Sequence, residues 1–177
     1  MEPKGRTKIQ SIIAPNPQQS LVRLLNSTPD FAAAVDFVSR ARRCRQSTIK
    51  HAALLLGALL SYSRPFKDHD GCALSQIPVF GALATDLGAD LQLHDRIVRL
   101  SMQALASSQR LYMQAAGNHS SCKLQSYWLA DRLGPTLAGQ LDLEAFERIA
   151  NLMRVACVLT LAEIGDPHRR HRTVNLQ

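Results

Sequence analysis

Two stretches of the chain bring together residue types that can do acid–base chemistry on a phosphodiester. In Arg45-Gln-Ser-Thr-Ile-Lys-His51 an arginine and a histidine stand six positions apart, so on a helix they reach the same side nearly two turns apart. Such a pair suits metal-free RNA cleavage: the histidine exchanges a proton with the 2′-hydroxyl or the leaving group while the arginine holds the phosphate. The plainer reading of the same spacing is a histidine at the border of an apolar stripe. The second stretch is Leu93-His94-Asp95-Arg96-Ile97-Val98-Arg99-Leu100, continuing to Ser107-Ser108. His94 falls on the apolar face of the helix expected there, and an interior histidine with a satisfied ring accounts for it.

Positive charge supplies a different chemistry. The 177 residues hold 21 Lys+Arg against 14 Asp+Glu, a formal charge of +7. Residues 1–18 carry +2 (Lys4, Arg6 and Lys8 against Glu2), and residues 165–177 carry +2 (Arg169, Arg170 and Arg172 against Asp166). Residues 40–50 carry +5 from Arg40, Arg42, Arg43, Arg45 and Lys50, which leaves −2 for the rest of the chain. The charge is therefore two tails and one patch. Without interleaved aromatics, that patch suits the backbone of a nucleic acid, or an acidic protein, better than base stacking.

Other candidates are weaker. His69-Asp70-Gly71-Cys72 offers two metal ligands at most, and Asp68, His69 and Asp70 read more simply as turn formers. Cys44, Cys72, Cys122 and Cys157 include no CxxC pair, so no metal site and no cofactor is expected. Tyr127 and Trp128 read as core anchors. Glycine-rich phosphate loops, serine-hydrolase elbows and paired-histidine zinc helices do not occur.

The run Leu59-Leu60-Ser61-Tyr62-Ser63-Arg64-Pro65-Phe66, followed about 30 residues later by Leu93-His94 and an amphipathic helix, resembles bacterial HEPN-like helical proteins. In that group an LLSYARPF-like ending precedes an LH…LLxLRNKxxAHSD segment. The resemblance spans roughly residues 31–110. It implies an α-helical bundle that forms a homodimer, with a ribonuclease signature Arg-x4–6-His on a long helix. Aligned on Leu93-His94, Ser101 stands in place of that arginine and Ser107 in place of the histidine, and Met102 replaces the polar residue after the arginine. Serine neither holds a phosphate with a cationic fork nor transfers protons near neutral pH, so the scaffold is expected without its usual catalytic pair. Arg64, Pro65 and His94 then act structurally. The resemblance suggests that His94 supports the motif loop, and Arg64 is expected to pair with an acid such as Asp90 or Asp95.

The elements that must position these residues are helical. Prolines at 3, 15, 17, 29, 65, 78, 135 and 167 divide the chain. Residues 1–19 read as a basic tail and Leu21–Leu25 as a short helical turn at best, with a helix starting at the Thr28 cap and Pro29. Apolar spacing runs on to Tyr62, either as one helix or as two broken near Ser47-Thr48, and Arg64-Pro65 ends it. Residues 64–78 read as a connecting loop, and Pro78–Leu87 as a short helix stopped at Gly88. Asp90 caps a long helix whose face includes Leu91, His94, Ile97, Val98, Leu105, Leu111 and Tyr112. Residues 117–122 are a break, and 124–129 a short strand or a helical turn. Asp142 caps the last helix, with Leu141 stapled on Phe146 and an inward stripe of Phe146, Ile149, Ala150, Met153, Ala156, Cys157, Thr160 and Ile164. Gly165-Asp166-Pro167 ends it, leaving 166–177 as a second basic tail.

These elements predict an all-α, single-domain bundle of three to five helices over residues 20–165, HEPN-like by resemblance. Hydrophobic residues at 46% and charged residues at 20% exclude a disordered chain. The longest apolar run, Ala52–Leu60, falls far short of the ~20 residues that span a bilayer. The start MEPKGRTKIQ has no hydrophobic signal core, so a cytoplasmic protein with reduced thiols is expected, and the sequon Asn118-His119-Ser120 reads as chance. The functional expectation is a non-catalytic binding or regulatory module using the patch at 40–50. The alternative is a metal-independent ribonuclease using Arg45 and His51.

Overall fold

The computed structural model describes residues 16–46, 48–68, 72–115 and 139–165, the side chains of 107–115 excepted. Five α-helices are bounded within them: α1 (Pro17–Arg42), α2 (Ile49–Ser63), α3 (Pro78–Asp86), α4 (Leu91–Ala115) and α5 (Leu143–Gly165). Short 3-10 turns occupy Arg64–Phe66 and Leu74–Gln76, and no β-strand occurs among the described residues. The chain is an all-α bundle, as expected. Residues 117–122 and 124–129, with Tyr127 and Trp128, lie outside the described residues.

Helix α1 starts 11 residues before the expected Thr28-Pro29 cap. Asn16 accepts the Gln18 N–H at 3.0 Å and Pro17 takes the first helical position, so residues 17–19 are helix and Leu21–Leu25 is far more than a turn. Thr28 does not cap forward. Its hydroxyl donates back to the Leu24 carbonyl at 3.0 Å, Ser27 does the same to Arg23 at 2.6 Å, and Pro29 sits inside the helix. An interior proline costs ~3 kcal/mol, but Leu24 and Phe31 are fully buried on either side of it. Each of those side chains contributes about 1.5–3 kcal/mol, which is enough to hold the helix together across Pro29.

The apolar run to Tyr62 is two helices. Arg43 ends α1, and Thr48 caps α2 by accepting the His51 N–H at 3.2 Å. Helix α2 stops at Ser63, just before Arg64-Pro65. The expected loop 64–78 contains both 3-10 turns and buries Cys72, Leu74 and Ile77. Helix α3 ends in a left-handed Gly88 (φ 78°), with Gly88 N–H on Thr85 at 2.8 Å and Ala89 N–H on Ala84 at 3.0 Å. Asp90 caps α4 through the Leu93 N–H at 3.0 Å, and Asp142 caps α5 through Glu144 and Ala145 at 2.9 and 3.1 Å. Leu91, at the very start of α4, is exposed rather than part of the inward face.

Helix α1 is the central element and packs along both α2 and α5, while α4 lies on α2 and α3 on α5. Gly57 lets α1 and α2 approach closely, since a Cβ there would stand 3.2 Å from the Phe37 ring. Tyr62 lies at the centre of a ring cluster, with centroids 5.5 Å from Phe31, 5.5 Å from Phe146, 5.7 Å from Phe66 and 5.8 Å from His94. That cluster ties α1, α2, α4 and α5 together, and Phe80 of α3 joins through Phe66 at 6.4 Å. The predicted α5 stripe is buried from Phe146 to Thr160, with Leu141 buried beside it and Ile164 packed on its edge. No helix among the described residues is long and apolar enough to cross a membrane.

Candidate functional site

The basic segment 40–50 falls where α1 ends and α2 begins, and its five cations separate into two kinds. Arg40 pairs with Asp36 one turn back at 2.9 Å, with both side chains exposed. Arg42 reaches across to α5, donating to Glu147 at 2.7 Å with Glu144 at 4.0 Å. Arg43, Arg45 and Lys50 are exposed and form no ion pair among the described residues. The link and the start of α2 therefore present three cations unmatched among the described residues next to two matched ones.

Because α1 ends at Arg42, Arg45 lies in the link and not on a helix shared with His51. The expected pairing on one helical side is corrected accordingly. Arg45 accepts at its carbonyl from Thr48, whose N–H lies at 3.2 Å and whose hydroxyl lies at 2.8 Å. His51 is the third residue of α2 and is fully buried, in one stripe with Leu55, Ala58 and Tyr62. Neither of its ring nitrogens has a hydrogen-bond partner, and burial pushes its pKa below the ordinary imidazole value. It is an interior histidine, not a border one.

His94 lies at the other end of α2. The Tyr62 hydroxyl is 3.0 Å from its Nδ1, and the Phe66 ring meets it edge-on at 4.3 Å. Burial lowers the pKa of His94, with Asp95 opposing, and burial raises that of Tyr62 well above the ordinary phenol range. Tyr62 and His94 are thus both neutral and share one hydrogen bond, whose direction is set by the imidazole tautomer.

Arg64 pairs with Asp30 at 2.8 Å and with neither Asp90 nor Asp95. The reason is the antiparallel packing of α1 on α2, which lays Asp30 alongside the end of α2. Burial raises the Asp30 pKa, with Arg64 and Arg23 working against that shift. Pro65 is buried, and its carbonyl accepts from Arg23 Nε at 3.1 Å and Nη2 at 2.9 Å. The same guanidinium donates to the carbonyls of Arg64 at 2.8 Å and of Lys67. Arg23 thereby ties together the carbonyls that the end of α2 and the following turn leave free. The sequence carried no signal for this clamp, since Leu21–Leu25 read as a turn with no neighbour.

Ser101 is buried and donates to the Val98 carbonyl of its own helix at 2.8 Å. Met102 is exposed, and the Ser107 side chain lies outside the described residues. His69, Asp70 and Gly71 also lie outside them, while Cys72 is buried with its thiol pKa raised by burial. No three His, Cys, Asp or Glu side chains converge on a metal position among the described residues. Cys44, Cys72 and Cys157 are free thiols, with the Cys157 pKa pushed up to about 12 by burial. No family model, curated protein or solved structure matches the chain.

Proposed function

We propose that the chain is a non-catalytic helical module that grips the phosphate backbone of a nucleic acid through Arg43, Arg45 and Lys50. The observation that carries this reading is the set of three exposed cations, on the α1–α2 link and the first turn of α2, without counterions among the described residues, next to Arg40 and Arg42, which are neutralised by Asp36 and Glu147. Cations already matched by carboxylates release few counterions on binding, whereas unmatched ones release them in full. The likeness of Leu59–Phe66 to HEPN-like proteins supports the same reading from a second side: it implies a bundle used as a scaffold, with Ser101 where a phosphate-holding arginine would stand. The homodimer implied by that resemblance would place two basic links in one assembly and raise the avidity for a long polyanion.

The ribonuclease reading requires His51 to exchange a proton with a bound 2′-hydroxyl. Its ring is fully buried and its basicity lowered, so no observation favours that reading. The direct test is fluorescence anisotropy of a labelled single-stranded RNA with the full chain. Arg43→Ala, Arg45→Ala and Lys50→Ala combined are expected to weaken binding at least tenfold at low salt. Unchanged affinity in that variant would overturn the reading, as would RNA cleavage that disappears in His51→Ala. Capture of an acidic peptide but not RNA would assign the same cations to a protein partner.

A further inference from the structure

His51 has no role in holding a phosphate and is poorly suited to the core. An interior imidazole normally finds a partner for at least one nitrogen, as His94 does with Tyr62, yet both nitrogens of His51 are unsatisfied at zero exposure. The position of this unsatisfied ring gives it a consequence. It belongs to the third residue of α2, and the turn around it is held by local bonds only. These are His51 N–H to the Thr48 hydroxyl at 3.2 Å, Ala52 N–H to the Thr48 carbonyl at 3.1 Å, and the two bonds from Thr48 to the Arg45 carbonyl. Those bonds join the turn to nothing beyond the link and α2 itself.

A charged imidazolium cannot stay in that position. Burying an unpaired charge costs far more than fraying a terminal helical turn, so the cheapest way to hydrate the protonated ring is to open residues 48–51. Among the described residues no acid stands by to hold the charge in place. The titratable groups at this end, again among the described residues, are Arg42 of α1, held by Glu147 with Glu144 beside it on α5, Arg43, Cys44 and Arg45 of the link, and Lys50 of α2. On α4, His94 and Asp95 lie at the far end of α2 beside Tyr62. None of them perturbs the ring, whose environment is set by desolvation alone.

We propose that His51 is a proton-operated latch on the basic link: uncharged, it closes the first turn of α2 against the core, and protonated, it swings out and joins its charge to those of Arg43, Arg45 and Lys50. The second half of this inference rests on the reading of the link as a polyanion site. Opening sets in as the pH falls below about 6.5, where a free imidazole takes up its proton. The equilibrium between the closed and open turn shifts by at most about tenfold per pH unit, because one proton is involved.

Two measurements on the full chain test the latch. The first is hydrogen-exchange protection of the amides at residues 49–52 at pH 7.5 and pH 5.5, in the wild type and in His51→Leu. The second is the affinity for single-stranded RNA at the same two pH values and constant ionic strength. The wild type is expected to lose about fivefold to tenfold in protection on acidification, while His51→Leu changes by less than twofold. RNA affinity is expected to gain at least threefold more in the wild type than in His51→Leu, which cancels the contribution of the other histidines. His51→Met serves as a second apolar variant with the same expected result. Equal losses of protection in wild type and variants, or none in either, would overturn the latch. Loss of protection as expected with no RNA binding at either pH would support the latch and overturn the nucleic-acid reading.

Discussion

His94 and His51 sit at opposite ends of the helix pair α2–α4, and the polar groups around them are satisfied to different degrees. Around His94 several polar groups have partners: Tyr62 on Nδ1, Arg64 on Asp30, and Arg23 on the carbonyls of residues 64, 65 and 67. Around His51 the ring has no partner, and the neighbouring cations Arg43, Arg45 and Lys50 have no counterions among the described residues. The first region is built for rigidity, with six aromatic or imidazole rings in contact and a guanidinium fork closing a helix end. The second leaves charge and hydrogen-bonding capacity unused among the described residues, which the proposed binding role would draw on.

The largest effect should come from the rigid region. Phe31→Ala removes a fully buried ring that touches both Tyr62 and Phe66, and should lower the stability by about 3–5 kcal/mol in urea denaturation. Arg23→Ala should lose about 1.5–3 kcal/mol, since the carbonyls at the end of α2 lose a charged donor. Arg23→Lys should recover only part of it, because an ammonium cannot present the same fork.

His51→Leu is expected to do the reverse and stabilise the chain at pH 7.5 by about 1–2 kcal/mol, because a buried group without partners is replaced by an apolar one. Tyr62→Phe, which orphans His94 Nδ1, should destabilise by about 1 kcal/mol. Both histidines have folded-state pKa values below the unfolded value of 6.5. The native state therefore binds fewer protons, and stability is full above about pH 6.5 and declines as the pH falls through it. The decline is at most about 1.4 kcal/mol per pH unit for each group, and His51→Leu should flatten the chemical-denaturation profile between pH 7 and pH 5. The smallest effect belongs to Arg40→Ala, whose exposed partner Asp36 makes it worth under about 0.5 kcal/mol; RNA affinity should change less than twofold, against several-fold for Arg45→Ala.

Local grammar made much of the bundle readable. Thr48, Asp90, Asp142 and Gly88 each mark a helix boundary by their own side chain or backbone freedom, and the α5 stripe follows from 3.6-residue periodicity alone. What escaped depends on the tertiary fold. Thr28-Pro29 has the form of a helix start, but burial on both sides of Pro29 overrides it. The partner of Arg64 followed from how α1 packs against α2, and the clamp by Arg23 joins residues more than 40 positions apart. The division of the basic patch is the clearest case: five adjacent cations look alike in sequence, and only the docking of α5 puts Glu147 beside Arg42 and leaves Arg43, Arg45 and Lys50 unmatched.

The claim that these three cations form the working surface is tested most directly by the salt dependence of RNA affinity in two variants of equal folding stability. With Arg43, Arg45 and Lys50 changed to alanine, the slope of log affinity against log salt should fall by about 2, from about 0.7 per phosphate over three contacts. With the matched pair Arg40 and Arg42 changed instead, the slope should fall by less than about 1. Equal slopes in the two variants would contradict the account.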